Sequence, residues 1–278
     1  MHLLLIQPPL EDFYATPCRD EPLGFLYLAA AAQAAGHPVA VLDARAGEGS
    51  RTLPWPREFA HLREHYVRDS SPFSLFSAYR RYGCSPEALA RGLAAFRPEA
   101  IGISSLFSPY HGTARETARL AAQLFPRALV FLGGHHPSAF PYEVLEEKAV
   151  SAVLAGEAEQ TLPAFLSWWE QGRPGSPPPG VYLRGEGGTP CPDPFPSPAG
   201  LPFPAREMVD RDRYRLGKRR LAQVITSRGC PHRCSYCTSS PFRPRSVDEV
   251  LAELRELQLR HGISAFDFED DNFSADRG

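Results

Sequence analysis

The sequence predicts an α/β protein: a doubly wound parallel sheet, followed by the opening strands of a second α/β unit. Three observations carry this. Apolar runs of four to six residues show little internal alternation, helix-forming stretches separate them, and glycine, proline or serine closes most of the runs, as expected when strands are buried on both faces under helices. The chain has 278 residues, which on a prior of roughly 100 to 200 residues per domain points to two cores. A hydrophobic fraction of 43% and a charged fraction of 22% exclude a fully disordered or fibrous chain.

The elements follow in order. Residues 3–6 form an apolar run stopped by Pro8 and Pro9, and residues 23–35, rich in alanine and leucine, close on Gly36 as a helix does. A second strand is predicted at 39–43, a third at 100–105, a helix at 113–125, and a strand at 129–132 that ends in Gly133-Gly134. Residues 152–155 read as a further strand and 159–171 as a helix with Leu162, Phe165, Leu166 and Trp169 on one face. Residues 46–90 interrupt the alternation, with candidate helices at 58–68 and 86–95. The insertion carries Trp55, Phe59, Tyr66, Phe73, Phe76, Tyr79 and Tyr82, which either line a ligand site or pack the insertion onto the domain.

Between Arg173 and Arg206 stand eleven prolines, enough to prevent helix and central strand over most of the stretch, although 181–183 can form a short hairpin strand. The division is therefore residues 1–172, a linker at 173–206, and a second unit at 207–278. That unit has a strand at 221–226, an amphipathic helix at 247–261 and a strand at 265–269. One βαβ unit cannot bury both faces of its sheet, so it reads as the incomplete, N-terminal part of a larger domain.

A formal net charge of -2 lacks the basic footprint of a protein that grips many phosphates, so no nucleic-acid partner is expected. The apolar start of the chain is too short for a signal-peptide core or a membrane span, and a cytoplasmic protein is expected. Six cysteines are too few for a disulfide scaffold, and three of them lie within eight residues.

These are Cys230, Cys234 and Cys237 in the segment Ser227-Arg-Gly-Cys-Pro-His-Arg-Cys-Ser-Tyr-Cys237, in a loop after a strand. Three thiolates on a compact loop suit a soft metal centre. A structural zinc site needs a fourth ligand and would have to recruit His232 or a distant cysteine. A four-iron cluster held by three thiolates instead leaves one iron open to a cofactor or substrate.

With Tyr236 at the aromatic position, this segment resembles the CxxxCxΦC signature of the radical S-adenosylmethionine (radical SAM) superfamily. The resemblance implies that Cys230, Cys234 and Cys237 hold a [4Fe-4S] cluster, that S-adenosyl-L-methionine chelates the open iron and is cleaved by one electron from an external donor, and that Tyr236 lies beside the adenine. It also implies a TIM-type (β/α) barrel whose first part is residues 207–278. The loop Phe266-Asp-Phe-Glu-Asp-Asp-Asn-Phe273 ends the next strand where the superfamily contacts the methionyl part, and Glu269, Asp271 and Asn272 are the candidates.

The first domain resembles the Rossmann-like, cobalamin-binding domain that precedes the barrel in a large class of the superfamily. Ser104-Ser105-Leu106 matches SxL after a strand, and Gly133-Gly134 follows at a similar spacing; Leu132-Gly-Gly-His-His-Pro137, Gly156-Glu-Ala-Glu159 with Thr161, and Leu201-Pro-Phe-Pro-Ala-Arg206 are further pieces. The resemblance implies that Ser104, Leu106, Gly133, Gly134 and His135 contact a cobalamin, with the small residues admitting its nucleotide tail. The DxHxxG motif that supplies a cobalt-ligating histidine is absent, Gln7-Pro-Pro-Leu10 standing in its place. His111 reads as a loop histidine.

The expected function is an enzyme that transfers a methyl group, or makes another radical transformation, at an unactivated carbon of a small-molecule substrate; no catalytic side chain is assigned. The alternative is a corrinoid-binding module whose cluster loop is vestigial or is completed by a second polypeptide that supplies the rest of the barrel.

Overall fold

The computed structural model describes residues 1–14, 20–46, 49–191, 195–237 and 240–276. The chain begins with β1 (Leu3–Gln7), β2 (Leu10–Asp12), α1 (Leu23–Ala34) and β3 (Val39–Asp43). Then come β4 (Ser50–Thr52), β5 (Arg80–Tyr82), α2 (Pro86–Leu93), β6 (Ala100–Ser104), α3 (His111–Leu124) and β7 (Leu129–Gly133). Two short helices, α4 (His135–Ala139) and α5 (Pro141–Leu145), lead to β8 (Ala152–Leu154) and α6 (Thr161–Glu170).

Among the described residues the main sheet has the order β3-β1-β6-β7-β8 in parallel, extended by β9 (Val181–Leu183) and β10 (Gly187–Gly188) in antiparallel. The sheet thus runs into the segment expected to be linker: Val181 and Leu183 are apolar and buried, and they pair with Leu154 and Ala152. The proline-rich stretch that lies outside the sheet starts after Gly188.

The parallel strands are apolar throughout because both faces are covered. Leu3, Leu5, Leu129, Phe131, Ala152 and Leu154 pack under α1 and α6. Leu4, Ile6, Ile101, Ile103, Val130, Leu132 and Val153 pack under α2, α3 and α5. On α6 the buried faces are those of Leu162, Phe165, Leu166 and Trp168, with Trp169 only partly buried. From β1 the chain goes outward to β3, then crosses to β6 on the other side, so the strand order reverses between β1 and β6. That switch point, at the carboxyl ends of the strands, is where a doubly wound sheet offers its crevice.

The insertion is not helical as expected at 58–68: it forms 3-10 turns at Arg57–His65 and Pro72–Phe76, and a small antiparallel sheet β2-β5-β4 that its sequence did not announce. Its rings pack on one another and on Phe13, with Phe13–Trp55 centroids 4.7 Å and Phe13–Tyr79 5.0 Å apart. Tyr82 is buried and donates to the Tyr14 carbonyl. Trp55, Tyr79 and Tyr82 therefore serve packing, whereas Phe59, Phe73 and Phe76 keep 41% to 56% of their surface exposed.

The second unit carries β11 (Arg215–Leu216), β12 (Arg219–Val224), β13 (Ser227–Arg228), β14 (Arg243–Pro244), α7 (Val247–His261) and β15 (Ala265–Phe268). Helix α7 has the predicted bounds because Ser246 and Glu249 form a reciprocal capping box and Gly262 closes it at φ 62°. β12 and β15 are parallel, and Ala222, Val224, Leu257 and Ile263 form their core. Among the described residues β15 pairs with β12 on one side only.

Candidate cofactor site

The site is assembled at the carboxyl ends of β6, β7 and β8, facing the loop after β12. The turn after β6 runs back along the turn after β7: Ser105 N donates to Gly133 O at 2.8 Å, and His136 N donates to Ser105 O at 3.3 Å. Gly134 is demanded by this approach. Its φ is 112°, and a Cβ there would lie 2.7 Å from Ser105 O. Gly133 differs, since a Cβ would meet only Leu154 O at 3.5 Å, an ordinary contact. The fold does not require glycine at 133, whereas at 134 it does. Glycine at 134 thus has a reason in the fold itself, beside the ligand-admitting task that the sequence reading gave to both glycines.

All five expected first-domain contacts border this turn. Ser104 ends β6, Leu106 is 40% exposed, Gly133 ends β7, Gly134 follows it against Ser105, and His135 is exposed and stacks on Phe107 at 6.1 Å. His111 is not a loop histidine. It opens α3, bonds Ser105 Oγ at 3.1 Å through Nδ1, and lies 4.1 Å from His136, ring centre to ring centre. Burial, and then the neighbouring His136, push the His111 pKa down to about 4. His136 is buried, bonds Ser108 Oγ at 2.9 Å, is likewise shifted down by burial, and leaves Nε2 without a partner. Two neutral imidazoles therefore sit beneath the crevice, a pairing that the sequence hid because their ring contact spans twenty-five positions.

The cysteine loop hangs from the ribbon of β13 and β14. Gly229, at φ 75°, allows the two ends of the loop to cross, because a Cβ would fall 2.3 Å from both Ser240 O and Pro241 O. Cys230 N donates to Ser240 O at 3.0 Å, and Cys237 N donates to Cys234 O at 3.0 Å. Cys230 is partly buried, and Cys234 and Cys237 are exposed. Among the described residues no three His, Cys, Asp or Glu side chains stand together as a ligand set, so the structure places the three thiols on one loop without gathering their sulfurs. The donor set still fits a soft, thiolate-bound centre, because all three thiols lie on a solvent-facing loop closed at its neck. Tyr236 is 90% exposed beside them.

The loop after β15 does two things. Glu269 accepts from Gln223 Nε2 at 2.5 Å, and burial raises its carboxyl pKa although that bond opposes the shift. Asp270, absent from the sequence candidates, accepts from Thr226 N at 3.1 Å, Thr226 Oγ1 at 2.7 Å, Ser227 N at 2.5 Å and Ser227 Oγ at 2.6 Å. It fixes the entry to the cysteine loop. Its signal in the sequence was its place among Glu269, Asp271 and Asn272 on the same turn.

Two ionic clusters join the halves. Arg228 and Arg243, opposite each other in the ribbon, bind Glu157 and Glu159 of the turn after β8. Arg206, 2% exposed, binds Glu21 and Glu253, while Arg211 binds Glu21 and Arg245 binds Glu253.

Residues 77–166 match the model of the B12 binding domain family. That part of the chain is similar to a B12-binding domain, the chain's sequence is similar to methyltransferases and cyclases, and its mostly parallel α/β fold resembles that of solved radical S-adenosylmethionine enzymes. Among individual relatives, it is 29% identical to the cytidylyl-2-hydroxyethylphosphonate methyltransferase of Streptomyces wedmorensis, over 99% of this chain and 55% of that protein. It is 25% identical to the anaerobic magnesium-protoporphyrin IX monomethyl ester cyclase of Synechocystis sp., over 98% of this chain and 50% of that protein. The solved structure of the radical S-adenosylmethionine methyltransferase TsrM from Kitasatospora setae, with cobalamin and a [4Fe-4S] cluster bound, superposes with a TM-score of 0.62 at 19% identity, covering 98% of this chain and 50% of that one. The chain spans about half the length of these relatives. No helix among the described residues is long and apolar enough to cross a membrane.

Proposed function

We propose that this chain is the cofactor-holding part of a cobalamin-dependent radical SAM enzyme that transfers a methyl group, or makes another radical transformation, at an unactivated carbon of a small molecule. The observation that carries the reading is the clamp of Arg228 and Arg243 on Glu157, with Arg228 Nη1 2.7 Å and Arg243 Nη2 2.6 Å from its carboxylate. It turns the three-thiol loop toward the carboxyl edge of the sheet that holds the B12-binding turns. Two cofactors that act in one reaction need such a shared edge.

In this reading residues 1–172, extended by β9 and β10, hold the corrinoid, and residues 207–278 begin a (β/α) barrel. Cys230, Cys234 and Cys237 hold a [4Fe-4S] cluster, with Tyr236, Glu269, Asp271 and Asn272 around S-adenosyl-L-methionine. Ser104, Leu106, Gly133, Gly134 and His135 border the cobalamin. Bound together, the cofactors supply one-electron and methyl-transfer chemistry, and an external reductant supplies the electron. The chain's own residues bind and orient. Gly133 leaves space at the crevice, Asp270 pins the strand end before the loop, and half-buried His111 with buried His136 presents neutral rings below it.

The test is anaerobic reconstitution with iron and sulfide, followed by absorption and spin-resonance spectra with and without S-adenosyl-L-methionine, and a spectral titration with hydroxocobalamin. A cluster signal perturbed by S-adenosyl-L-methionine, together with corrinoid binding, supports the reading. A stoichiometric zinc that persists without iron sinks it.

A further inference from the structure

The neck of the cysteine loop presents an electrostatic problem that the first domain solves. Arg228 and Arg243 are register partners in the antiparallel ribbon, and like charges directly opposite each other in such a pair repel. Neither arginine is answered from within the loop by a carboxylate. Both are answered by Glu157, which Arg243 grips with both terminal nitrogens at 2.9 and 2.6 Å and Arg228 with one at 2.7 Å, while Glu159 takes the second nitrogen of Arg228 at 2.6 Å. The four side chains are mostly buried, at 13% to 20% exposure for the arginines and Glu157 and 7% for Glu159. Burial raises the Glu157 carboxyl pKa, but its bond to Arg243 and the charge of Arg228 outweigh it and hold the group ionised below the usual carboxylate range.

Glu157 is itself placed by the Gly-Gly turn. Gly156 N donates to Ser138 Oγ at 2.9 Å, and Ser138 Oγ donates to Gly134 O at 2.7 Å. A short chain of bonds therefore runs from the turn after β7, through Ser138 and the Gly156-Glu157 peptide, to the two arginines that flank Cys230.

We propose that Glu157, seated by Ser138, is a positioning residue that holds the cysteine loop closed at its neck and fixes it relative to the crevice of the first sheet. Neutralising Glu157 leaves Arg243 without a carboxylate while it faces Arg228, which keeps only Glu159, and the ribbon opens to separate them. Cys230, whose amide is tied to Ser240 beside the ribbon, then gains solvent access. Cys234 and Cys237, already exposed, do not change. This rests on the preceding reading only for what the loop holds.

The experiment uses the full chain, reduced and stripped of metal, labelled with N-ethylmaleimide and read by mass spectrometry at each cysteine. In Glu157→Gln, Cys230 labelling relative to Cys234 rises roughly fivefold or more; Arg243→Gln, which loses the clamp but also one of the two facing charges, gives a smaller rise, and the double variant rises no further than Glu157→Gln alone, as coupled neighbours require. Ser138→Ala, which touches neither arginine, gives a smaller rise of about twofold on the same coupling scale. Glu157→Asp and Arg243→Lys, which keep the charges, restore most of the protection. Unchanged Cys230 labelling in folded Glu157→Gln, or single effects that multiply in the double variant, overturns the proposal. Equal labelling in wild type and Ser138→Ala removes Ser138 from it. Because no iron or corrinoid is present, these outcomes are separable from failure of the cofactor assignment.

Discussion

Arg206 Nη1 donates to Glu253 Oε1 at 2.7 Å with 2% and 1% of the two side chains exposed, which ties the segment leading into the second unit to the middle of α7. The same guanidinium reaches Glu21 at 3.3 Å, just ahead of α1, and Glu21 also anchors Gln223 N at 2.8 Å. Burying charges this deeply is worthwhile only when each has partners, and removing one partner leaves the other stranded.

Arg206→Ala is accordingly expected to destabilise the protein by about 3 to 5 kcal/mol, because Glu21 and Glu253 lose a shared buried cation. Urea unfolding followed by circular dichroism measures this. Arg206→Lys should recover only part of the loss, since an ammonium cannot span the planar fork of partners. A loss below about 1 kcal/mol for Arg206→Ala, the range of exposed pairs, contradicts the role given to the cluster.

The two glycines after β7 should separate in mutation. Gly134→Ala places a Cβ 2.7 Å from Ser105 O at φ 112°, and a cost of about 2 kcal/mol or more in stability is expected. Gly133→Ala meets only an ordinary contact and should fold within about 1 kcal/mol of wild type, since no named mechanism of larger loss applies. Its effect should fall on hydroxocobalamin affinity. Equal affinity in Gly133→Ala and wild type would show that Gly133 does not border the corrinoid.

Alanine at Cys230, Cys234 or Cys237 should each abolish the iron signal after reconstitution, which otherwise reaches about four irons per chain. Cys84→Ser and Cys191→Ser should keep it. Cys18, expected to be replaceable too, lies outside the described residues. Iron analysis and absorption spectra decide the point, and a retained cluster in Cys234→Ala counts against the three-thiolate assignment.

His111 gives a pH dependence with a definite sign. Its folded-state pKa of about 4 lies below the ordinary histidine value of 6.5, so the unfolded chain takes up the proton first as the pH falls. The stabilising effect of the neutral ring is fully present above pH 6.5, declines between 6.5 and about 4, and is absent below. In thermal melts across that window the wild-type Tm should fall more steeply than that of His111→Gln. Parallel slopes would mean that the ring is not held neutral by the fold.

Much of this architecture was legible because its physics is local. The strands of the main sheet read as unbroken apolar runs, and α7 carried both its caps in the letters Ser246, Glu249 and Gly262. Cys230, Cys234 and Cys237 were visible as one loop by spacing alone. What escaped was set by distant partners. Residues 181–183 were legible as a short hairpin strand within a proline-rich connector, but only their pairing with β8 makes that strand part of the main sheet. Asp270 looked like its acidic neighbours until its bonds to Thr226 and Ser227 were seen. The stacking of His111 on His136, and the grip of Glu157 on Arg228 and Arg243, join residues tens of positions apart, and no periodicity records them.

The buried cluster around Arg206 also orders events in time. Arg206, Arg211 and Arg245 lie late in the chain, and one of the two carboxylates that neutralise them, Glu21, is made near its beginning. During synthesis, where N-terminal regions fold first, the first sheet can close before any of these arginines exists, and it then offers Glu21 as a waiting counter-charge. The later half has less independence, because docking β12 beside Glu21 supplies the counter-charge of Arg211 and part of that of Arg206. We therefore expect the unfolding arm of a kinetic experiment to report the second unit first, with the sheet around β1 and β6 the last to be lost.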